Sequence, residues 1–285
     1  MQKLFNKILV PIDFSSKSKV AAEKAVDIAK QYDCSIHLLH VSSLSPFSAF
    51  GMTEGHLSIP FNLIDNKKEL EFQLRRIYDR LQTISGNSIA ADYTILSGTW
   101  DDSIIDFVNK NNFDLVLIGQ KGMLMPKRKM AMNPDKIALK TDVPVITLPS
   151  NRRLTRLYSI VIPITDFLPI RKLMYGVYIA SKFNTTIKLL AIQNPDTEDK
   201  VQKYLQKAYD LMRDICNVQV EKEVIDNDNV ADAINQFSVA NSADLIIVNP
   251  VTQTKMPGFF SVLFGNIIQK YSAPPVLTVN PGFKF

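Results

Sequence analysis

Four apolar runs occur twice in this chain, in the same order. Lys7 to Ser15 reads KILVPIDFS, and Ser159 to Phe167 reads SIVIPITDF. SIHLLHV (Ser35 to Val41) returns as TIKLLAI (Thr186 to Ile192). DLVLIG (Asp114 to Gly119) returns as DLIIVN (Asp244 to Asn249), and PVITLP (Pro144 to Pro149) returns as PVLTVN (Pro275 to Asn280). An order-preserving repeat of this kind predicts a duplicated fold. It divides the chain into residues 1–150 and residues 151–285, about 140 each, a common domain size. It also lets each half be read against the other, and they differ where a ligand would sit.

Each half alternates short Val/Ile/Leu runs with longer helical patterns. In the first half, strands are predicted at Ile8 to Ile12, Ser35 to Val41, Ala91 to Leu96, Leu115 to Ile118 and Val145 to Leu148. Helices are predicted after Ser15, over roughly Leu63 to Ile84, over Asp101 to Asn111 with Thr99 or Asp101 as N-cap, and after Asn133. The second half repeats this plan, with helices at Leu168 to Phe183, Lys200 to Ile215, Val230 to Ala240 and around Phe259 to Tyr271. Strands that are apolar throughout are buried on both faces, which marks a parallel sheet covered by helices on either side. The expected fold class is therefore α/β: two tandem Rossmann-like domains, each a five-stranded, mostly parallel sheet with helices on both faces. The segment Ser150 to Leu157, SNRRLTRL, reads as a polar, basic linker. Ser42 to Pro60 is a long Ser/Pro/Phe-rich loop, a length that functional lids or disordered segments have.

The bulk numbers exclude several classes. A formal charge of +5 and a pI near 9.0 are mildly basic, with the lysines spread along helices as solvated faces, so no nucleic-acid partner is expected. No stretch approaches the ~20 apolar residues of a membrane span. The N-terminus lacks a signal-peptide pattern. Two cysteines, Cys34 and Cys216, stand far apart with no metal-binding spacing. The expectation is a cytoplasmic protein without disulfides or membrane attachment.

In open α/β sheets, ligands bind outside the carboxyl ends of the strands, where strand order reverses. Three first-half segments reach such ends. Asp13 follows the first strand, and a carboxylate there can accept hydrogen bonds from ribose hydroxyls or an adenine amino group. Val41 ends the second strand, where its backbone can pair with a base edge. Gly119-Gln120-Lys121-Gly122 leaves the fourth strand, with glycines that let backbone N–H groups approach phosphates. The helix after Asn133 would aim its N-terminus at the same place. Each signal also has a plainer reading: Asp13 as a turn or helix cap, and Asn133-Pro134-Asp135 as an ordinary helix start.

Taken together, these motifs resemble those of the universal stress proteins, of the nucleotide-binding α/β superfamily, and both halves share the resemblance. It rests on PIDFS followed by an Ala-rich helix, on DLVLIG running into a GxxG loop, and on the closing PVITLP. ATP-binding members carry a last loop of the form G-x2-G-x9-G-[S/T]. The resemblance implies that Asp13 contacts adenosine, that Val41 frames the adenine, and that Gly119 and Gly122 cradle phosphates of ATP or another adenine nucleotide, with Mg accompanying it. Lys121 and Asn133 join them as nucleotide-binding candidates. Where the family has its third glycine, this chain has Met132, whose side chain would occupy space that an anion needs. Asn133, in the Ser/Thr position, can still donate to a phosphate. Ala131 offers a smaller residue if the loop shifts by one, and Lys127, Arg128 and Lys129 add charge or form a solvated basic loop.

The second half departs further. Thr165 replaces Asp13, with Asp166 one place on, and Asn249 and Thr252 replace the glycines. Pro250 and Pro257 remove N–H donors. This half is not expected to bind nucleotide in the family manner.

No catalytic constellation accompanies the candidate site. His37 and His40 lie three apart on a strand and point to opposite faces. No HExxH, GxSxG or GxxxxGK[ST] occurs. An enzyme is not expected; at most a weak ATPase is. Two readings remain: a stress-response protein that binds an adenine nucleotide through its first half, and a ligand-free interaction module. The resemblance also implies that the two closing strands, Val145 to Leu148 and Val276 to Val279, pair within the chain and make it an intramolecular pseudo-dimer, with a further homodimer as an option.

Overall fold

The structure, a computed structural model, describes residues 3–42, 61–120, 132–151, 154–193, 198–215, 217–250 and 274–282, with backbone only at 61–66 and 215. Each first-half strand forms where an apolar run was seen: β1 Lys7–Pro11, β2 Ser35–Ser42, β3 Ala91–Ser97, β4 Leu115–Gly119 and β5 Val145–Leu148. Between them run α1 Ser16–Tyr32, α2 Phe61–Ser85, α3 Trp100–Asn111 and α4 Pro134–Thr141. The second half follows with β6 Ser159–Ile164, α5 Ile170–Ala180, β7 Thr186–Gln193, α6 Glu198–Ile215, β8 Val220–Asp226, α7 Val230–Ala240, β9 Leu245–Val248 and β10 Val276–Thr278. The helix expected around Phe259 to Tyr271 and the loop at Ser42 to Pro60 fall outside the described residues, except for Ser42, which ends β2.

The ten strands among the described residues join one sheet, in the order β3-β2-β1-β4-β5-β10-β9-β6-β7-β8. Every pairing is parallel except the central one, where β5 and β10 run antiparallel with Ile146 opposite Leu277. The two five-strand arrays thus meet through backbone hydrogen bonds rather than only through side chains.

Strand alternation sorts the core. On one face, Ile8, Val10, Leu38, Leu117, Ile146, Leu277, Ile247 and Ile162 belong to a single apolar cluster that runs under α1, α2, α5 and α6 and crosses both halves. On the other face the core is split. Leu9, Leu39, Val116 and Val145 pack with α3 and α4, and Val161, Leu190, Ile246 and Val276 pack with α7. The continuous face is sealed at mid-sheet by aromatic rings: Phe5 stacks on Tyr175 at 5.9 Å and meets Tyr32 and Tyr178 edge-on at 5.3 Å.

The segment expected to be a polar linker is partly core. Leu154 and Leu157 are buried in the shared cluster. The two leucines of SNRRLTRL weigh more than its charges, because the chain must cross the apolar face to begin β6. Lys24 of α1 reaches this crossing, its Nζ donating to the carbonyls of Pro149 (2.6 Å) and Ser150 (2.9 Å).

Local signals explain the helix ends. The Ser15 hydroxyl caps α1 by accepting from the Ser18 N–H. Asp33, Asn112 and Asp142 end α1, α3 and α4 in the left-handed conformation, which Asn and Asp tolerate better than other non-Gly residues.

Candidate nucleotide site

Strand order places β1 between β2 and β4, so the chain builds outward from β1 to β2 and β3 on one side and then crosses back to β4 and β5 on the other, and strand order reverses at β1. Asp13, Val41 and Gly119 stand at the carboxyl ends of these three adjacent strands, and α4 begins nearby. The structure therefore brings together four of the six sequence candidates. Lys121 and Gly122 lie outside the described residues, as do Lys127, Arg128, Lys129 and Ala131.

Each of the four has a partner within the chain. Asp13 Oδ1 accepts from the Ser15 hydroxyl (2.6 Å) and the Ser15 N–H (3.1 Å), a side-chain turn that fixes the exit from β1. Phe14, inside this turn, has a φ of +60°, a conformation costly for a bulky residue. The turn directs its ring onto His40, at 4.5 Å between centroids. Val41 is fully buried and pairs with Leu96 of β3. The β1 pairing with β2 ends at Pro11 opposite Leu39. Beyond it, the Ile12 N–H donates to the Leu39 carbonyl, and the Ile12 carbonyl accepts from His40 Nδ1 at 2.7 Å. That bond fixes the tautomer of neutral His40 and leaves Nε2 as an acceptor. Burial holds His40 below the ordinary imidazole pKa, against the opposing influence of the Ile12 carbonyl and the Asp13 carboxylate.

Gly119 is glycine for a reason sequence did not reveal. A Cβ there would lie 2.5 Å from the Lys17 carbonyl oxygen. Close packing of β4 on the first turn of α1 is enough to require it, independent of any phosphate.

Asn133 caps α4, its Oδ1 accepting from the Lys136 N–H at 3.1 Å. Its own backbone N–H donates to Asp101 Oδ1 at 3.1 Å. Lys136 Nζ pairs with Asp102 at 2.7 Å and lies 4.0 Å from Asp101, and the Thr99 hydroxyl donates to Asp102. The Lys136 ammonium and the Thr99 hydroxyl hold the Asp102 carboxyl below its usual pKa. Met132 packs against the apolar cluster under α3 and α4.

Sequence reasoning missed the aromatic wall. Trp100, the chain's one tryptophan, is 7% exposed, lies 5.5 Å from His40 at 81°, and its Nε1–H has no partner among the described residues. A lone Trp directly after a predicted helix cap was the available signal. His37 sits elsewhere, bonded through Nε2 to Thr94 Oγ1 and packed on Phe107 and Phe113. Among the described residues no cluster of His, Cys, Asp and Glu could hold a metal ion, and no helix is long and apolar enough to cross a membrane.

In the second half, the Asn249 amide, standing where Gly119 stands, donates to the Val279 carbonyl at 2.8 Å. α5 begins at Pro169 without a side-chain cap. Lys172 is buried, its Nζ donating to the Pro163 carbonyl at 2.5 Å, and burial lowers its pKa to about 7.

An open, mostly parallel sheet with helices on both faces defines a doubly wound α/β protein. The sequence profile of the universal stress protein family matches residues 4–149. The chain belongs to that family. It is 31% identical over 117 residues to universal stress protein A of Escherichia coli, spanning 40% of this chain and 75% of that one. It is 29% identical over 121 residues to a universal stress protein of Methanocaldococcus jannaschii, spanning 42% of this chain and 68% of that one. A universal stress protein from Archaeoglobus fulgidus has a similar fold over 99% of this chain and 100% of its own, with a TM-score of 0.72 at 16% identity.

Proposed function

We propose that this protein binds an adenine nucleoside or nucleotide in residues 1–150, at the mouth formed by Asp13, Val41, Gly119 and Asn133, and that residues 151–285 do not. The reading rests above all on the convergence of Asp13, Val41 and Gly119 at the carboxyl ends of three adjacent strands. Phe14, His40 and Trp100 pack ring against ring beside them. The second half serves as a fixed counterpart, an intramolecular stand-in for the second subunit of a dimer, joined through β5 and β10. A ligand-responsive stress protein acting in the cytoplasm is the function this supports.

The competing reading is a ligand-free interaction module. The Asp101 carboxylate on the Asn133 N–H favours it, because that N–H is one a phosphate would use.

Thermal unfolding with adenosine, AMP, ATP with and without Mg, and GTP separates the two. At about 1 mM ligand, a site with Kd near 10 µM raises stability by about 2.7 kcal/mol. Asp13→Ala should abolish the shift, measured against that variant's own ligand-free melt. No shift with any adenine compound would leave the interaction module as the answer.

A further inference from the structure

The two halves differ in the helix that joins the second strand of each array to the third. In the second half this is α6, 18 residues long. In the first it is α2, 25 residues long. Since α6 serves the same crossover with fewer turns, the connection itself does not call for the full length of α2. Their charges differ as well. From Glu198 to Ile215, four cations balance four carboxylates, and Arg213 pairs with Asp210 and Asp214 of its own helix. That is an ordinary solvated face. From Lys67 to Ser85 of α2, cations outnumber carboxylates five to three.

α2 lies beside α1. Arg80 meets Glu23 at 2.6 Å, and Lys30 Nζ donates to the Ile84 carbonyl. Between the two helices runs a groove of about 490 Å³. Ile77 and Leu81, both buried, give it an apolar floor. Phe72 stands on its rim and is 58% exposed. Lys19, Arg76 and Arg80 share that rim with Glu23 and Glu69. Both carboxylates are engaged, Glu23 by Arg80 and Glu69 by the Gln73 amide at 2.6 Å. Among the described residues, the Lys19 ammonium has no partner, and the Arg76 guanidinium has only the Phe72 ring, 6.0 Å away. The groove therefore joins an apolar floor and an exposed ring to two uncompensated cations.

Such a surface is complementary to an amphipathic segment that carries apolar and acidic side chains together. We propose that the α1–α2 groove docks an acidic amphipathic helix of a partner protein, with its apolar side chains against Phe72 and Ile77 and its carboxylates on Lys19 and Arg76. Glu23 and Glu69 disfavour a uniformly anionic partner, such as a nucleic-acid backbone or an anionic bilayer, because phosphates would then face carboxylates. This docking surface is independent of the adenine-site reading and stands or falls separately from it.

The test uses the whole chain and a fluorescein-labelled helical peptide of Leu, Ala and Glu, about 20 residues long so that it can hold a helix. A second peptide carries Gln in place of every Glu. Fluorescence anisotropy should show saturable binding of the Glu peptide with Kd below about 1 mM, weakening as salt rises. The Gln peptide should bind at least about fivefold more weakly. Lys19→Glu combined with Arg76→Glu reverses both free cations at exposed positions and should weaken the Glu peptide at least about tenfold. Phe72→Ser should weaken both peptides about fivefold or more. Melting curves establish that each variant is folded. No saturable binding of the Glu peptide, or equal binding by the parent and the charge-reversed protein, overturns the proposal. Tighter binding of oligo-dT or of phosphatidylserine vesicles than of the Glu peptide, lost in the same variants, would make the groove a general polyanion surface and overturn its assignment to a protein helix.

Discussion

The α-carbon of Gly119 faces the Lys17 carbonyl so closely that a methyl group there would lie 2.5 Å from the oxygen and 2.7 Å from its carbon. The neighbour is backbone in the first turn of α1, which cannot swing aside as a side-chain tip would. Gly119→Ala should therefore destabilise the protein by about 1–3 kcal/mol through overpacking, seen as a lower urea midpoint. If the variant is as stable as the parent, the close approach is not what holds this position to glycine.

Lys172 predicts an unusual alkaline behaviour. Its pKa falls from 10.5 to about 7 in the folded protein because burial disfavours the ammonium. Between these values the unfolded chain binds more protons than the folded one, so stability rises as pH climbs from about 7 to about 10. A shift of this size corresponds to something on the order of 4–5 kcal/mol. Lys172→Met should be more stable than the parent near neutral pH, with the advantage shrinking as pH rises. Urea midpoints of both proteins across that range are the measurement; a gap that does not change with pH would contradict it.

His37 and His40, both buried, act at the other end of the scale. Burial lowers the pKa of both His37 and His40 below 6.5. Their neutral forms are favoured in the folded state, so stability present above about pH 6.5 is lost as pH falls through the folded pKa values. His40→Gln removes one of the two contributions, and its stability should decline less steeply with acid. An identical acid profile for parent and variant would mean that His40 does not titrate in folding.

Tyr32 offers a test of a different kind. Its ring stacks on Tyr178 and meets Phe5 edge-on, while its hydroxyl is buried with no partner among the described residues. Tyr32→Phe keeps the rings and deletes an unsatisfied group, so stability should hold or rise by up to about 1 kcal/mol. A loss above that would reveal a partner for the hydroxyl, to be sought by comparing solvent-isotope effects on unfolding.

Much of the fold was legible because backbone hydrogen bonding and burial impose periods that sequence displays. The four repeated runs became β1 and β6, β2 and β7, β4 and β9, and β5 and β10. Pro144 and Pro275, just before the closing strands, gave no hint of strand direction, and the antiparallel β5–β10 seam is a long-range pairing. It was expected only through the family resemblance. Asp13, Val41 and Gly119 could be placed because they end predicted strands. What each one bonds to could not. Ser15 on Asp13, Lys17 on Gly119 and Asp101 on Asn133 depend on how α1, α3 and α4 lean on the sheet, and no local pattern records that. Leu154 and Leu157 were hidden for a related reason, since a short segment among arginines shows no period at all.

The antiparallel seam has a consequence for anyone cutting the chain at its repeat boundary. Within the whole protein, β5 and β10 are buried along their full lengths. Released from each other, they would become open, apolar edges, the kind that recruits strands from neighbouring chains. A separated half is therefore expected to pair with its own copies or precipitate.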